Sequence, residues 1–113
     1  MNATDASASL LYVTCADADE AMRIGRVLVE ERVAACTNML DGMRSLYWWE
    51  GEVQEGREAV LIVKTRADRV DAAITRIKAL HSYRVPCIAE LAVGRGNPDY
   101  LAWIAAKAAP DRG

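Results

Sequence analysis

The chain has few of the residues that mark several large classes of protein. Its 113 residues include one histidine, three cysteines and three prolines, and no phenylalanine. The cysteines are odd in number and contain no CxxC pair, unlike the disulfide framework of a small secreted protein. The GxSxG, HExxH and P-loop motifs of common enzyme families do not occur in it. We therefore expect reduced thiols and a protein that is not an enzyme.

The chain also lacks a strong charge of either sign and a long hydrophobic run. It has 14 basic and 16 acidic residues, a formal net charge of −2, whereas proteins that bind nucleic acid through its phosphates are usually basic. No apolar run approaches the roughly 18 residues of a membrane span, and the N-terminal residues do not resemble a signal peptide. We expect a cytoplasmic protein with no nucleic-acid partner and no membrane insertion.

What the sequence does contain is an alternation of apolar strands and amphipathic helices. The predicted order is strand, helix, two strands joined as a long hairpin, helix, strand, and then a terminal helix. The order β-α-β-β-α-β is typical of the ferredoxin-like α+β fold, an antiparallel sheet with its first two helices on one face. The predicted segments are strand 9–15, a helix to about residue 32, a hairpin within 34–65 with a polar connection at 50–56, a helix ending at 81, strand 87–93 and a helix from 97 that stops before 110.

Short motifs mark the starts of the helices. Asp17 is placed to cap the first helix, with Glu20 at the capping-box position. Thr65 or Asp68 is the predicted cap of the second helix. Asn97 followed by proline is a strong start for the last one. The predicted organisation is a disordered tail at 1–8, a single domain at 9–109 and a C-terminal tail at 110–113.

Three aromatic residues, Tyr47, Trp48 and Trp49, stand together near the predicted tip of the hairpin. Successive residues of a strand face opposite sides, so the two tryptophans cannot both enter one core. Either the terminal helix covers the second face with Trp103, or another subunit does. The enrichment of Trp and Tyr in interface cores favours the second alternative, and we expect a homo-oligomer.

The stretch HSYRVPCIAE at 81–90 brings several types of metal ligand together. His81 would suit copper or zinc, and Cys36 would add the soft character that Cu(I) prefers. Glu90 lies on a partly apolar strand face, where a carboxylate is paired, exposed or functional. A structural role is the alternative for each, because a histidine can bond the last carbonyls of a helix and a buried cysteine can act as a small hydrophobe. The candidate metal ligands are His81, Cys36 and Glu90.

Five segments together resemble the CutA family of divalent-cation tolerance proteins. The resemblance covers roughly residues 10–107 and implies a ferredoxin-like fold, a homotrimer joined through the long hairpin, and a role in tolerance of divalent metals, chiefly copper. The expected ligand is copper or another divalent cation, bound weakly, with no organic cofactor. The sequence departs from the family pattern at Ser82 and Cys87, where proline and glutamate are usual, and at Cys15. The matching segments are VAACTN (33–38), SLYWWEG (45–51), EAVLIVKT (58–65), HSYRVP (81–86) and DYLAWI (99–104).

The trimer that the resemblance implies is similar to that of PII-type signalling proteins, which bind small effectors in clefts between subunits. The alternative function is therefore a trimeric sensor or adaptor that binds a small effector or a protein partner in such clefts. Lys64 would line a cleft with Glu58 or Glu90, or would simply end a solvated strand. The residues expected at the interface or cleft are Tyr47, Trp48, Trp49, Lys64, Tyr83 and Trp103.

Overall fold

The computed structural model describes residues 6–110, which form a four-stranded antiparallel sheet and three α-helices. The sheet order is β2-β3-β1-β4, and this arrangement confirms the predicted ferredoxin-like fold. Of the two predicted tails, 1–5 and 111–113 lie outside the described residues. The elements are β1 (Ala8–Cys15), α1 (Ala18–Glu30), β2 (Cys36–Trp49), β3 (Glu52–Arg66), α2 (Val70–Leu80), β4 (Ile88–Ala92) and α3 (Pro98–Lys107).

The main core lies between the sheet and the pair α1 and α2. Leu11 of β1 and Leu61 of β3 are buried there, and Ile24 of α1 packs in the same cluster. Gly25 lets α1 approach the sheet closely, because a Cβ added there would lie 2.7 Å from Oγ1 of Thr37. The apolar run 59–63 is central and covered, which agrees with its nearly uninterrupted apolar sequence.

Two of the three predicted helix starts are confirmed. The Asp17 side chain accepts a hydrogen bond from the backbone N–H of Glu20, at 2.8 Å. The Asn97 side chain accepts one from the backbone N–H of Asp99, at 3.1 Å, and proline occupies the first helical position. Each side chain satisfies an N–H group that has no partner within its own helix.

The predicted cap of the second helix is wrong. A short 3-10 turn at Ala67–Arg69 leads into α2, and no side chain caps either element. Thr65 donates instead to the carbonyl oxygen of Val33, at 2.7 Å, while Asp68 pairs with an arginine at the end of β3. Both side chains therefore bond to neighbouring segments of the sheet region and do not cap α2.

The turn of the hairpin is shorter, and its second strand is longer, than the sequence predicted. Its turn consists of Glu50 and Gly51, whose φ angles are +50° and +79°, and β3 begins at Glu52. The polar stretch 50–56 was expected to be a connection, but most of it is strand. Charged residues are compatible with strand here because the hairpin extends past the helices and has solvent on both sides. A bulge between Leu40 and Met43 separates this outer part from the inner sheet.

The terminal helix α3 packs on the opposite face of the sheet from α1 and α2, and it covers only one end. Ile104 and Ala108 form a small cluster there with Ala8 and Ala35. Trp103 stacks on the neighbouring Tyr100 ring instead of reaching the hairpin. The alternative in which α3 covers the hairpin tryptophans is therefore wrong for this chain, whose Trp48 and Trp49 stay largely exposed.

No helix within residues 6–110 is long and apolar enough to cross a membrane.

Candidate functional site

The three predicted metal ligands lie in separate places within one chain. Cys36 is in an edge strand and pairs with Lys64, whose side chain is on the α3 face of the sheet. Glu90 is in the other edge strand and pairs with Leu11, on the face covered by α1 and α2. His81 follows α2, and its side chain is fully buried. A single chain does not bring these three side chains together.

Both ring nitrogens of His81 have hydrogen-bond partners. Nδ1 accepts from the backbone N–H of Tyr83, at 3.0 Å, so the ring proton is on Nε2. Nε2 donates to the carbonyl oxygen of Thr14, at 2.7 Å, and not to the last carbonyls of α2 as the sequence suggested. This neutral imidazole bridges the end of β1 and the segment after α2, and a metal could bind it only by displacing one of these bonds.

Within residues 6–110, one group of three potential ligands lies close together. The ligand atoms of Cys15, Glu20 and His81 are all within 4.8 Å of one another. Burial, with a smaller contribution from nearby carboxylates, raises the pKa of the Cys15 thiol to about 12, so the thiol is protonated at neutral pH. His81 has no free nitrogen to take its proton. The group is therefore a closed structural network and lacks an activated nucleophile.

The Glu20 carboxylate ties together three segments in this network. It accepts from the backbone N–H of Ala16 at 2.9 Å and from that of Ser82 at 2.8 Å. Burial by itself would raise the pKa of Glu20, but these hydrogen bonds outweigh it and hold that pKa below its usual value. The carboxylate is therefore ionised and stabilises both the start of α1 and the segment after α2.

A groove of about 540 Å³ lies where the hairpin leaves the rest of the sheet. Tyr47, Trp49 and Glu58 form one wall, on the strand face that points away from α1 and α2. Tyr83 and Cys87, from the segment between α2 and β4, form the other wall. The groove thus combines three aromatic rings with a carboxylate and a thiol.

Among the residues that the structure describes, the carboxylate of Glu58 accepts hydrogen bonds from neutral groups only. Ser45 donates its hydroxyl to Oε1 at 2.8 Å, and Tyr83 donates its hydroxyl to Oε2 at 2.9 Å. Burial, followed by this bond to Glu58, raises the pKa of Tyr83, so Tyr83 remains a neutral donor. The ring of His81 packs on that of Tyr83 with centroids 4.8 Å apart, and the buried network therefore fixes one wall of the groove.

Comparison with known proteins identifies the family. The model of the CutA1 divalent ion tolerance protein family matches residues 9–107. The chain belongs to this family. The divalent-cation tolerance protein CutA of Thermus thermophilus is 42% identical over 95 residues, 84% of this chain and 92% of that protein.

Relatives of different lengths share the CutA1 fold. A rice protein named Protein CutA 1, chloroplastic, is 40% identical over 95 residues, 84% of this chain, and the chain spans only 54% of its length. The crystal structure of CutA from Xylella fastidiosa matches with a TM-score of 0.89 and 44% identity, covering 91% of this chain and 99% of that one. The long hairpin and the groove beside it are thus parts of a CutA1 fold.

The other predicted interface residues of this CutA1 chain do not lie in the groove. Trp48 is on the opposite face of the hairpin, beside Leu46 and Val53, and the three are 75%, 73% and 58% exposed. We refer to these three side chains as the hairpin patch. Strand alternation therefore separates one apolar patch from the groove on the other side.

Lys64 and Trp103 lie at the α3 end of the sheet. Lys64 donates to the hydroxyl of Tyr100 at 3.0 Å, and its ammonium is 5.4 Å from the centre of that ring. Within one chain its partner is therefore Tyr100, and a cleft between subunits that Lys64 lines with Glu58 or Glu90 stays a prediction. Glu90 accepts from the Ser9 hydroxyl at 2.6 Å.

Sequence reasoning missed the roles of Cys15 and Glu20, and it named Glu58 only as a residue that could line a cleft with Lys64. Glu58 begins the apolar run of β3, and that position does not predict its hydrogen bonds to Ser45 and Tyr83. The capping-box spacing did single out Glu20, but its bond to Ser82 joins residues 62 positions apart. Cys87 lines the groove and is exposed, and its departure from the family pattern was the one available signal there.

Proposed function

We propose that this CutA1-family protein acts in divalent-cation tolerance, chiefly toward copper, as a homotrimer without enzymatic activity. The family match over residues 9–107 supports the tolerance role. The hairpin patch is the main support for the homotrimer, because three large apolar side chains lie on one face where none of the helices that the structure describes covers them. Burial of such a patch against another subunit is favourable by about 25 cal/mol per Å² of apolar surface.

We assign the cation to Cys36 and Glu90. These side chains lie in the two edge strands of the sheet, and contacts between subunits can bring different edges together. A thiolate and a carboxylate together suit copper or another borderline cation. His81 was the third ligand in the sequence-based hypothesis. We assign it to the buried network instead, because binding a metal would cost it a hydrogen bond.

Native mass spectrometry with Cu(I), Cu(II) and Zn(II) tests this function. We expect a trimer that binds a multiple of three ions and loses them in Cys36→Ser and Glu90→Gln. Cys87→Ser and Glu55→Gln are matched controls, since each removes an exposed group of the same type elsewhere and should leave the ion count unchanged. A trimer with only scattered adducts would contradict cation binding and leave the assembly intact.

We place the protein in the cytoplasm, where reduced thiols persist. All three cysteines are free, which supports this assignment, although the rice relative is named as chloroplastic. Cell fractionation with a cytoplasmic marker checks it, and recovery of the protein mainly outside the cytoplasmic fraction would contradict it.

A second function is binding of a small effector, as in a PII-like sensor or adaptor. The groove favours it, because an opening of about 540 Å³ with a few polar groups fits a small molecule. Small-molecule-dependent thermal stabilisation of the metal-free protein would support this function, and stabilisation by metals alone would contradict it.

A further inference from the structure

We propose that the groove binds a small organic ammonium ion, specifically a protonated alkylamine. The ammonium head meets the Glu58 carboxylate, and the hydrocarbon part lies against Tyr47, Trp49 and Tyr83. This inference rests on the effector-binding function proposed above and names the chemical class of the effector. It does not depend on metal binding by Cys36 or Glu90.

The charge of the groove is the first reason. Within residues 6–110, no lysine, arginine or histidine nitrogen lies within 4.0 Å of the Glu58 carboxylate. Its two oxygens accept one hydroxyl each, from Ser45 and Tyr83, so each oxygen keeps a lone pair for a further donor. A partly buried carboxylate with neutral partners gains from a cation that enters the groove. Arg57 also borders the groove, but strand alternation directs its side chain to the opposite face.

The aromatic walls are the second reason. Tyr47 and Trp49 are two positions apart on one strand and share the groove face, while Tyr83 stands on the other wall. Tyr47 lies across Gly56, where an added Cβ would be 3.4 Å from its hydroxyl. The faces of aromatic rings carry negative charge density and attract cations near them. The Glu58 carboxylate and the aromatic rings therefore both favour a positively charged ligand in this groove.

The rings also distinguish an organic ammonium from a bare metal ion. A divalent metal needs several N, O or S donors around it and gains little from aromatic walls. An alkylammonium needs only a few acceptors, and its carbon chain can bury apolar surface against Val85 and the rings. His81 keeps Tyr83 in position from behind, with ring centroids 4.8 Å apart, so the site is largely formed before a ligand enters.

An NMR titration of the full chain with n-butylammonium chloride, in the presence of a chelator, tests the proposal. The neutral probe 1-butanol has the same length and lacks the charge. The readout is the backbone amide of Gly56, with that of Gly94 as a remote reference. We expect saturable shifts at Gly56 and an affinity for butylammonium about tenfold higher than for 1-butanol, from one partly exposed ion pair and cation–π contacts.

Two variants and a control locate the preference. Glu58→Gln keeps the size of the side chain and should remove the preference for butylammonium over 1-butanol. Glu55→Gln removes a carboxylate on the same strand that faces the other side and pairs with Arg44, and it should keep the preference. Because Glu58→Gln could disturb its hydroxyl partners, Trp49→Leu gives an independent check at an exposed position. It should weaken butylammonium binding severalfold with little effect on 1-butanol.

Equal affinity for the two probes would overturn the ammonium preference, while binding of both would leave effector binding by the groove in place. Absence of any response at Gly56 would overturn the ammonium site and the effector function together. Retention of the preference in Glu58→Gln would overturn the assignment to this carboxylate. The metal titration tests the tolerance function separately, because it counts bound ions and uses the variants Cys36→Ser and Glu90→Gln.

Discussion

The helix-covered part of the sheet and the projecting hairpin are built from the same strands, but only in the first are the apolar side chains buried within a single chain. In β3, Leu61 is buried beneath α1, whereas Val53 near the turn is mostly exposed. Both are apolar residues of one strand, on the same face. The difference lies in what covers them, and it is the reason we propose that another subunit covers the hairpin.

The two regions also differ in the hydrogen bonds that their carboxylates accept. Glu20 is buried and accepts backbone N–H groups that hold three segments together. Glu58 accepts hydrogen bonds from two side-chain hydroxyl groups and lines the groove. The first arrangement is closed and structural, and the second keeps lone pairs for a ligand. The comparison therefore separates a stabilising network from a candidate binding site.

The largest effect is expected from a cavity in the helix-covered region. Leu61→Ala removes a fully packed side chain and should lower the free energy of unfolding by about 2–5 kcal/mol. Val85→Ala, at a largely exposed position of the groove, should change it by less than about 0.5 kcal/mol. Chemical denaturation measures both, and equal effects would contradict the contrast between the two regions.

A smaller effect, confined to assembly, is expected from the hairpin patch. Trp48→Glu should cost about 2–4 kcal/mol of association free energy, because it puts a charge into an apolar contact, and should shift the protein toward monomer. Circular dichroism should show the secondary structure retained. The control is Lys107→Glu, a charge change on α3 at the far end of the sheet. An unchanged mass for Trp48→Glu would remove the patch from the interface.

The buried carboxylate should matter somewhat less and in a pH-dependent way. Glu20→Gln should cost about 1–3 kcal/mol at pH 7, because it weakens two bonds to backbone N–H groups. The pKa of Glu20 is lower in the folded protein than the unfolded value of about 4.3. Its contribution is therefore present above that pH and is lost as the pH falls through the folded value.

Denaturation curves of the wild type and Glu20→Gln between pH 7 and pH 3 test this sign. The difference between them should shrink as the pH falls, while Glu55→Gln, which alters an exposed carboxylate, should follow the wild type. A difference that stays constant or grows on acidification would show that the ionised form of Glu20 is not the stabilising one.

The smallest effect is expected in the groove. Tyr83→Phe removes one hydrogen bond to Glu58 and keeps the ring against His81, so it should cost about 0.5–1.5 kcal/mol. Thermal unfolding monitors it, with Tyr47→Phe as the matched tyrosine control on the other wall. A loss larger than that of Glu20→Gln would mean that the groove is part of the structural network.

The sequence predicted the elements that depend on local pattern. The apolar run of β3, the amphipathic pattern of α1 and the caps at Asp17 and Asn97 all follow from neighbouring residues, and the structure confirms them. The sequence predicts a connection at 50–56 because this stretch is polar and contains two glycines, and it lacks the alternation with an apolar face of a half-buried strand. A strand with solvent on both sides does not show that alternation, so the length of the hairpin could not be read from it.

The candidate site was less accessible because its contacts join distant parts of the chain. His81 bonds Thr14, 67 positions away, and no local pattern signals such a pair. The alternation of strand residues did predict that Trp48 and Trp49 face opposite sides. Which side becomes a groove and which a patch depends on the placement of the segment after α2 and on the extent of α3, and both are set by tertiary packing.

Sedimentation equilibrium of the full chain over a micromolar concentration series tests most directly whether the hairpin is completed by other copies. We predict a mass three times that of the 12.4 kDa chain, with or without a chelator, and a shift toward monomer in Trp48→Glu. A stable 12.4 kDa monomer across the series would contradict the account, since the hairpin patch would then remain in water without a partner.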